Sequence, residues 1–241
     1  MSADTKSVDN PIFEYNYDLP RVMSNERCNI DYTVYRVATE GFISFHRYNC
    51  DTKQLTESQF EKTYSENGYC YISASPTAQS FHKYKLHILL VSDIKIKTYE
   101  TQSKFDYIKK LAPGYKSEST DKLIVLYYVT AAKKTNYYKL YNNYRPKNII
   151  VMKMQDFYLI KPLKFDSPKY SLITQDISQF LIDNNTKYTL NSLSVLHDSD
   201  PMMLWLLTEQ GMVVRIARPN PATAFTYEYK SIIHKQLVDK K

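Results

Sequence analysis

Three short apolar runs constrain this chain more than any other feature. They are LHILLV (86–91), KLIVLYYV (122–129) and NIIVMKM (148–154). Each is brief and rich in β-formers, so each predicts a buried strand. Between the first two, Phe105, Ile108 and Leu111 fall at i, i+3 and i+6 and Pro113-Gly114 follows, which predicts a helix from about Thr101 to Leu111. Between the second and third, Tyr137, Leu140, Tyr141 and Tyr144 line one helical face, and Arg145-Pro146 ends it. Strand, helix, strand, helix, strand implies an α/β layer with crossover connections.

The flanks read differently. Val34, Val37, Phe42 and Phe45 are spaced roughly as on a helix between Tyr32 and Tyr48, although Gly41 weakens that pattern. Thr56 followed by Gln59 is a capping-box pair, predicting a helix to about Glu66 and a turn at Asn67-Gly68. Residues 1–30 carry Pro11 and Pro20 without a sustained period, and read as an arm that Phe13, Tyr15 and Tyr17 equip for docking. KPLKFDSPKY (161–170) marks a change of character. Beyond it, Thr174 is the expected N-cap of a helix placing Ile177, Phe180 and Leu181 on one side, closed by Asn184-Asn185. Leu190, Leu193 and Leu196 suggest a short helical or turn-like packing segment. The expected division is an arm (1–30), an α/β domain (31–165) and a small α+β domain (166–241).

The chain has 241 residues and a formal charge of +7. That permits a polyanionic partner such as nucleic acid, but suits a merely soluble basic surface equally. Cys28, Cys50 and Cys70 are odd in number with no CxxC pair, which argues against a disulfide framework or a Cys-rich zinc site. His82 and His87 have no metal-ligand spacing, and the four glycines form no phosphate loop. No stretch approaches the ~18 apolar residues of a membrane span. With a polar N-terminus, the expectation is a soluble intracellular protein without cofactor or metal.

The stretch SDPMMLWLLTEQGMVVRIARPNPATAFTYEYK (199–230) is the most patterned part of the chain. Ser199 or Asp200 can cap a helix that tolerates Pro201 in its first turn. Met202 to Leu207 is apolar all round, so the helix should be buried. Gly211 suits a left-handed C′ position. MVVRIAR and FTYEYK alternate like strands, and with PNPAT between them they predict a hairpin packed on the helix. The stretch holds no converging acids, histidine or nucleophile.

Here the sequence resembles the fifth subunit shared by eukaryotic nuclear RNA polymerases and, in its C-terminal part, the archaeal counterpart of that subunit. The resemblance rests on Asp200-Pro201, Trp205 in the family's aromatic position, Gly211 at matching spacing, Val213-Val214-Arg215-Ile216-Ala217-Arg218-Pro219, and Tyr229-Lys230. Upstream, Leu172-Ile173-Thr174 and Leu193 to Leu196 fall in the family's Ile-Thr and Leu-Pro positions. The N-terminal part agrees in element order. Departures are also visible. The family's glycine after the aromatic helix residue is Leu206 or Leu207 here. Its Arg-Pro continues Ser-Glu-Thr-Ala-Gly-Arg-Tyr, where this chain has Asn220-Pro221-Ala222-Thr223-Ala224-Phe225-Thr226. That glycine is missing, so a differently built turn is expected. The divergence resembles a polymerase of a large DNA virus more than a cellular one. It implies residence in the virion and host cytoplasm, or in the nucleus for a cellular protein.

The resemblance implies a restriction-endonuclease-like α/β jaw domain beside downstream double-stranded DNA, and a C-terminal assembly domain docked on the largest subunit among other polymerase subunits. It implies no catalytic residue in this chain. Asp200, Pro201, Trp205, Gly211, Arg215, Arg218, Pro219 and Tyr229 would build the docking module. Lys104, Lys109 and Lys110 on one helix, and Lys133, Lys134 and Lys139 on another, are candidates for phosphate contacts, against the blander reading of solvated helix faces. Two other classes compete. Asp93-Ile94-Lys95 after an apolar strand has the D-x-K form of a metal-dependent nuclease, although residues 67–92 contain no Asp or Glu to supply a first ligand. A free-standing nucleic-acid-binding factor would also fit the charge.

Overall fold

The computed structural model describes residues 12–18, 30–92, 103–116, 120–127, 144–159, 167–184 and 189–234. The architecture is mixed α/β with two five-stranded sheets. The chain divides into two units. One comprises Asn16–Leu163 with Ser199–Leu206; the other comprises Met1–Tyr15, Lys164–Asp198 and Leu207–Lys241. Elements below are numbered in chain order.

The first unit opens with α1 (Ile30–Arg36), which runs through a π-helical stretch (Val37–Phe42) into α2 (Ile43–Phe45). Gly41 does not break it. The Thr39 hydroxyl donates to the Tyr35 carbonyl at 3.0 Å within the wide turn. Arg47, at φ 60, turns the chain into β2 (Tyr48–Cys50). The capping box at α3 (Glu57–Asn67) forms as expected. The Gln59 N–H donates to Thr56 Oγ1 at 3.4 Å, and the Thr56 N–H donates to Gln59 Oε1 at 3.1 Å. Gly68 ends the helix at φ 69. Then follow β3 (Tyr69–Pro76), β4 (Leu86–Val91), α4 (Ser103–Leu111), β5 (Lys122–Tyr127), β6 (Ile149–Lys153) and α5 (Met154–Leu159).

The sheet order is β2-β3-β4-β5-β6, with the first two pairings antiparallel and the last two parallel. The three predicted strands are its parallel half. β4 and β5 are buried along their whole length, which is why they read as continuous apolar runs. Ile108 and Leu111 of α4 pack on Leu89, Val91, Leu123 and Val125. β2 and β3 add an antiparallel half that the sequence pattern does not announce. The predicted helix over 131–144 lies outside the described residues, Tyr144 apart.

The second unit contains β1 (Ile12–Glu14), β7 (Lys169–Ile173), α6 (Ile177–Asp183), β8 (Ser194–His197), β9 (Val213–Asn220) and β10 (Ala224–Ile233). Its sheet order is β1-β7-β9-β10-β8, antiparallel except for the β10–β8 pair. Part of the expected arm is therefore an edge strand, and Tyr15 beside it is buried. The N-cap of α6 is Asp176, not Thr174, and its carboxylate accepts from the Gln179 N–H at 2.8 Å. β7 runs to Ile173, so the chain needs Thr174 and Gln175 to turn before a helix can start. Leu190–Ser192 is a 3-10 turn and Leu196 lies in β8. One side of the sheet packs under α6 through Ile173, Phe180, Leu181, Leu193 and Val213.

The helix α7 (Pro201–Trp205) groups with the first unit. Within that unit the helix packs into an aromatic core formed by residues far upstream.

Candidate interaction surfaces

Asp200 caps α7 by accepting the Met202 N–H at 2.8 Å, with Pro201 in the first turn. The helix delivers Trp205 into a nest of rings. Phe42 and Phe45 meet it edge-on, with centroids at 4.8 and 5.1 Å, and Phe157 lies at 5.8 Å. The indole N–H donates to the Phe157 carbonyl at 3.1 Å. His46 Nε2 lies 3.0 Å from the Trp205 carbonyl, which fixes the tautomer with its proton on Nε2. Burial pushes the His46 pKa down to about 3, so the ring is neutral. Trp205 is fully buried. It serves a docking module only by holding the fold, and offers no surface of its own.

In the second unit, register places Glu14, Ser171, Arg215 and Tyr229 in one row across β1, β7, β9 and β10. The Arg215 guanidinium donates to Ser171 Oγ at 3.0 Å, pairs with Glu14, and lies 5.1 Å from the centroid of Tyr227. Tyr229 meets Phe180 of α6 edge-on at 5.8 Å. Both residues are half-buried structural members. Arg218 and Pro219 are exposed, and Arg218 Nε reaches Glu228 Oε1 at 3.3 Å.

Three backbone positions bear on the turns. Leu207, after α7, has φ 56; Gly211 has φ 90; Ala224, at the hairpin, has φ 64. The Gly211 N–H donates to the Ile232 carbonyl at 2.9 Å. Counted from Arg218-Pro219, Ala224 stands where the resembled series has glycine. The chain passes this point in a left-handed conformation, which alanine accepts at a modest steric cost.

Among the phosphate-contact candidates, Lys109 and Lys110 are exposed on α4. Lys104 belongs to the same helix, but its side chain is not among the described ones. Lys133, Lys134 and Lys139, and the D-x-K pair Asp93 and Lys95, lie outside the described residues. Among the described residues, no group of three or more His, Cys, Asp or Glu is placed to hold a metal. Cys50 and Cys70 are free thiols, and burial pushes the Cys70 pKa up to about 12.

A buried polar row has no counterpart among the sequence motifs. The Tyr71 hydroxyl accepts the Gly114 N–H and donates to His87 Nδ1 at 2.6 Å. His87 Nε2 then faces Asp121 Oδ2 at 3.7 Å. His87 is fully buried, and burial holds its pKa below the usual range. The row ties β3, β4 and the α4–β5 connection together. A Cβ on Gly114 would lie 2.6 Å from the Tyr71 hydroxyl, so close approach rather than backbone angle requires glycine there. No spacing signal announces such a row, because its members are distant in sequence and ordinary in type. Comparison of the chain with protein-family models gives no match, and comparison with curated proteins gives no significant match.

Proposed function

We propose that this chain is a non-catalytic subunit of a multisubunit DNA-directed RNA polymerase. In this reading the C-terminal domain docks on the largest subunit, and the first unit is a restriction-endonuclease-like jaw beside downstream DNA. The supporting observation is the backbone of the 199–230 stretch. Positive φ occurs at Gly211 and Ala224, two places where the resembled family carries glycine, and at Leu207, one of the two residues, Leu206 and Leu207, that fall at its third. Two of these residues are not glycine, so composition cannot have produced the agreement. Val213 to Asn220 forms one strand of the hairpin, as the V-V-R-I-x-R-P resemblance implies.

The jaw assignment draws on the mixed sheet and on exposed Lys109 and Lys110 of α4, which suit sequence-independent, salt-sensitive phosphate contacts. Affinity purification from the native source with quantitative mass spectrometry tests the reading. The chain should copurify with large polymerase subunits at fixed stoichiometry. Recovery without any polymerase subunit overturns it and favours a free-standing nucleic-acid-binding factor.

A further inference from the structure

The β9–β10 pair is longer than the sheet around it. β7 accompanies β9 only as far as Ala217, which faces Lys169. β8 accompanies β10 only from Lys230, which faces Ser194. Among the described residues, the ribbon from Arg218 to Glu228 therefore has no strand on either side. Phe225 is 42% exposed and Tyr227 46%. Two residues apart on one strand, they share a face, with Pro219 and Ala217 opposite them. The other face carries Arg218, Thr226, Glu228 and, at the root of the ribbon, Lys230.

An open edge beside exposed aromatic rings is what isolated sheets avoid. They blunt such edges with proline, lysine or bulges. From Ala224 to Glu228, β10 has no proline and no lysine, and each residue has a ladder partner on β9 or the turn. Aromatic anchors flanked by arginine are also the composition of interface centres. On the polar face, Arg218 and Lys230 outnumber Glu228 two to one. A second copy of this chain would bring the same excess of positive charge, whereas an acidic partner would balance it.

We propose that the outer edge of β10 from Ala224 to Glu228 receives an extended segment of a partner polypeptide. This segment adds a strand in the lane beyond the start of β8, where no described residue forms a strand. It lays apolar side chains on Phe225 and Tyr227 and sets a carboxylate near Lys230 on the other face. The proposal rests on the polymerase-subunit reading, in which the partner is the largest subunit, and it specifies the docking surface.

The test is co-expression of the full chain with the largest polymerase subunit from the same source, followed by amide hydrogen exchange on the complex and on the free chain. Amides in 224–228 should exchange at least about tenfold more slowly in the complex, because new ladder bonds protect them. The double variant F225K/Y227K should weaken the complex by about a hundredfold, as loss of two aromatic anchors does. Its thermal unfolding should fall only slightly, through loss of the surface contact between Arg215 and the Tyr227 ring. A complex in which 224–228 exchanges as in the free chain overturns the proposal and leaves the subunit reading standing. Absence of any complex overturns both. Protection of 224–228 in the chain alone, at the mass of a dimer, assigns the edge to a second copy and overturns the partner named here.

Discussion

The interior around Trp205 and the ribbon from Arg218 to Glu228 use aromatic side chains in opposite ways. Around Trp205 the rings of Phe42, Phe45 and Phe157 exclude water completely, and the two polar groups of the tryptophan unit are satisfied by the Phe157 carbonyl and His46. In the ribbon, Phe225 and Tyr227 stand about half open to solvent. A buried ring stabilises the folded chain already, so its loss is read in unfolding. An exposed ring contributes little to the fold, at Tyr227 only the surface contact with Arg215, until a partner covers it, so its loss is read mainly in binding. That contrast separates residues that hold the fold from residues available for docking, although both lie in one continuous patterned stretch.

The largest expected effects fall on the buried side. Trp205→Ala removes the ring at the centre of the nest and leaves the Phe157 carbonyl without its donor. A loss of roughly 3–5 kcal/mol is expected, typical of an aromatic-to-alanine change in a packed core. Urea unfolding measures it. A loss below about 1 kcal/mol would show that the nest collapses around the gap or is not packed as described. The matching change in the ribbon, Tyr227→Ala, should cost no more than about 1 kcal/mol, the surface contact with Arg215.

Acid should act on the same nest. An unfolded histidine takes up a proton near pH 6.5, whereas folded His46 does so only at about 3. Between those values the unfolded state holds more protons, so stability present above pH 6.5 is lost as pH falls toward 3. Full loss amounts to several kcal/mol, on the order of 1.4 kcal/mol per pH unit of displacement. His46→Gln keeps a donor near the Trp205 carbonyl but does not titrate. Its stability should therefore fall less steeply than the parent's across this window. Identical slopes would remove His46 from the acid response.

Gly114→Ala probes the polar row at intermediate cost. The added methyl would press on a Tyr71 hydroxyl pinned by His87, so a loss of about 1–3 kcal/mol is expected, as for other overpacked sites. In a Tyr71→Phe background the obstructing oxygen is gone, and the same substitution should cost less. Equal costs in both backgrounds would place the strain elsewhere.

What can be read from the sequence follows the same division between local and distant causes. The α3 capping box is written in two residues three apart, and β4 and β5 are legible because strands buried on both faces are mostly apolar, His87 and Lys122 being their buried polar members. β3 is not legible, because its buried residues Cys70, Ile72, Ser73 and Ala74 lie among Tyr69, Tyr71 and Ser75 and do not stand out as an apolar run. The strand pattern in FTYEYK is visible, yet its openness is not, because that depends on where β7 and β8 stop. The burial of Trp205 is expected from the apolar helix around it. Its neighbours are not, because Phe42 and Phe157 come from distant elements.

The smallest effects test the backbone agreement that supports the proposed function. Leu207 and Ala224 share a left-handed conformation but differ in burial: Leu207 is fully buried and Ala224 is exposed. Glycine relieves steric strain at both. At Ala224 almost nothing is lost in exchange, so Ala224→Gly should stabilise the chain by up to about 1 kcal/mol, reduced by the greater freedom of glycine when unfolded. At Leu207 the relief competes with loss of a buried leucine, so Leu207→Gly should destabilise by a net 1–3 kcal/mol or so. Opposite signs in parallel urea titrations are expected. If Ala224→Gly destabilises by as much as Leu207→Gly, residue 224 is not left-handed in solution, and the resemblance loses one of its three backbone supports.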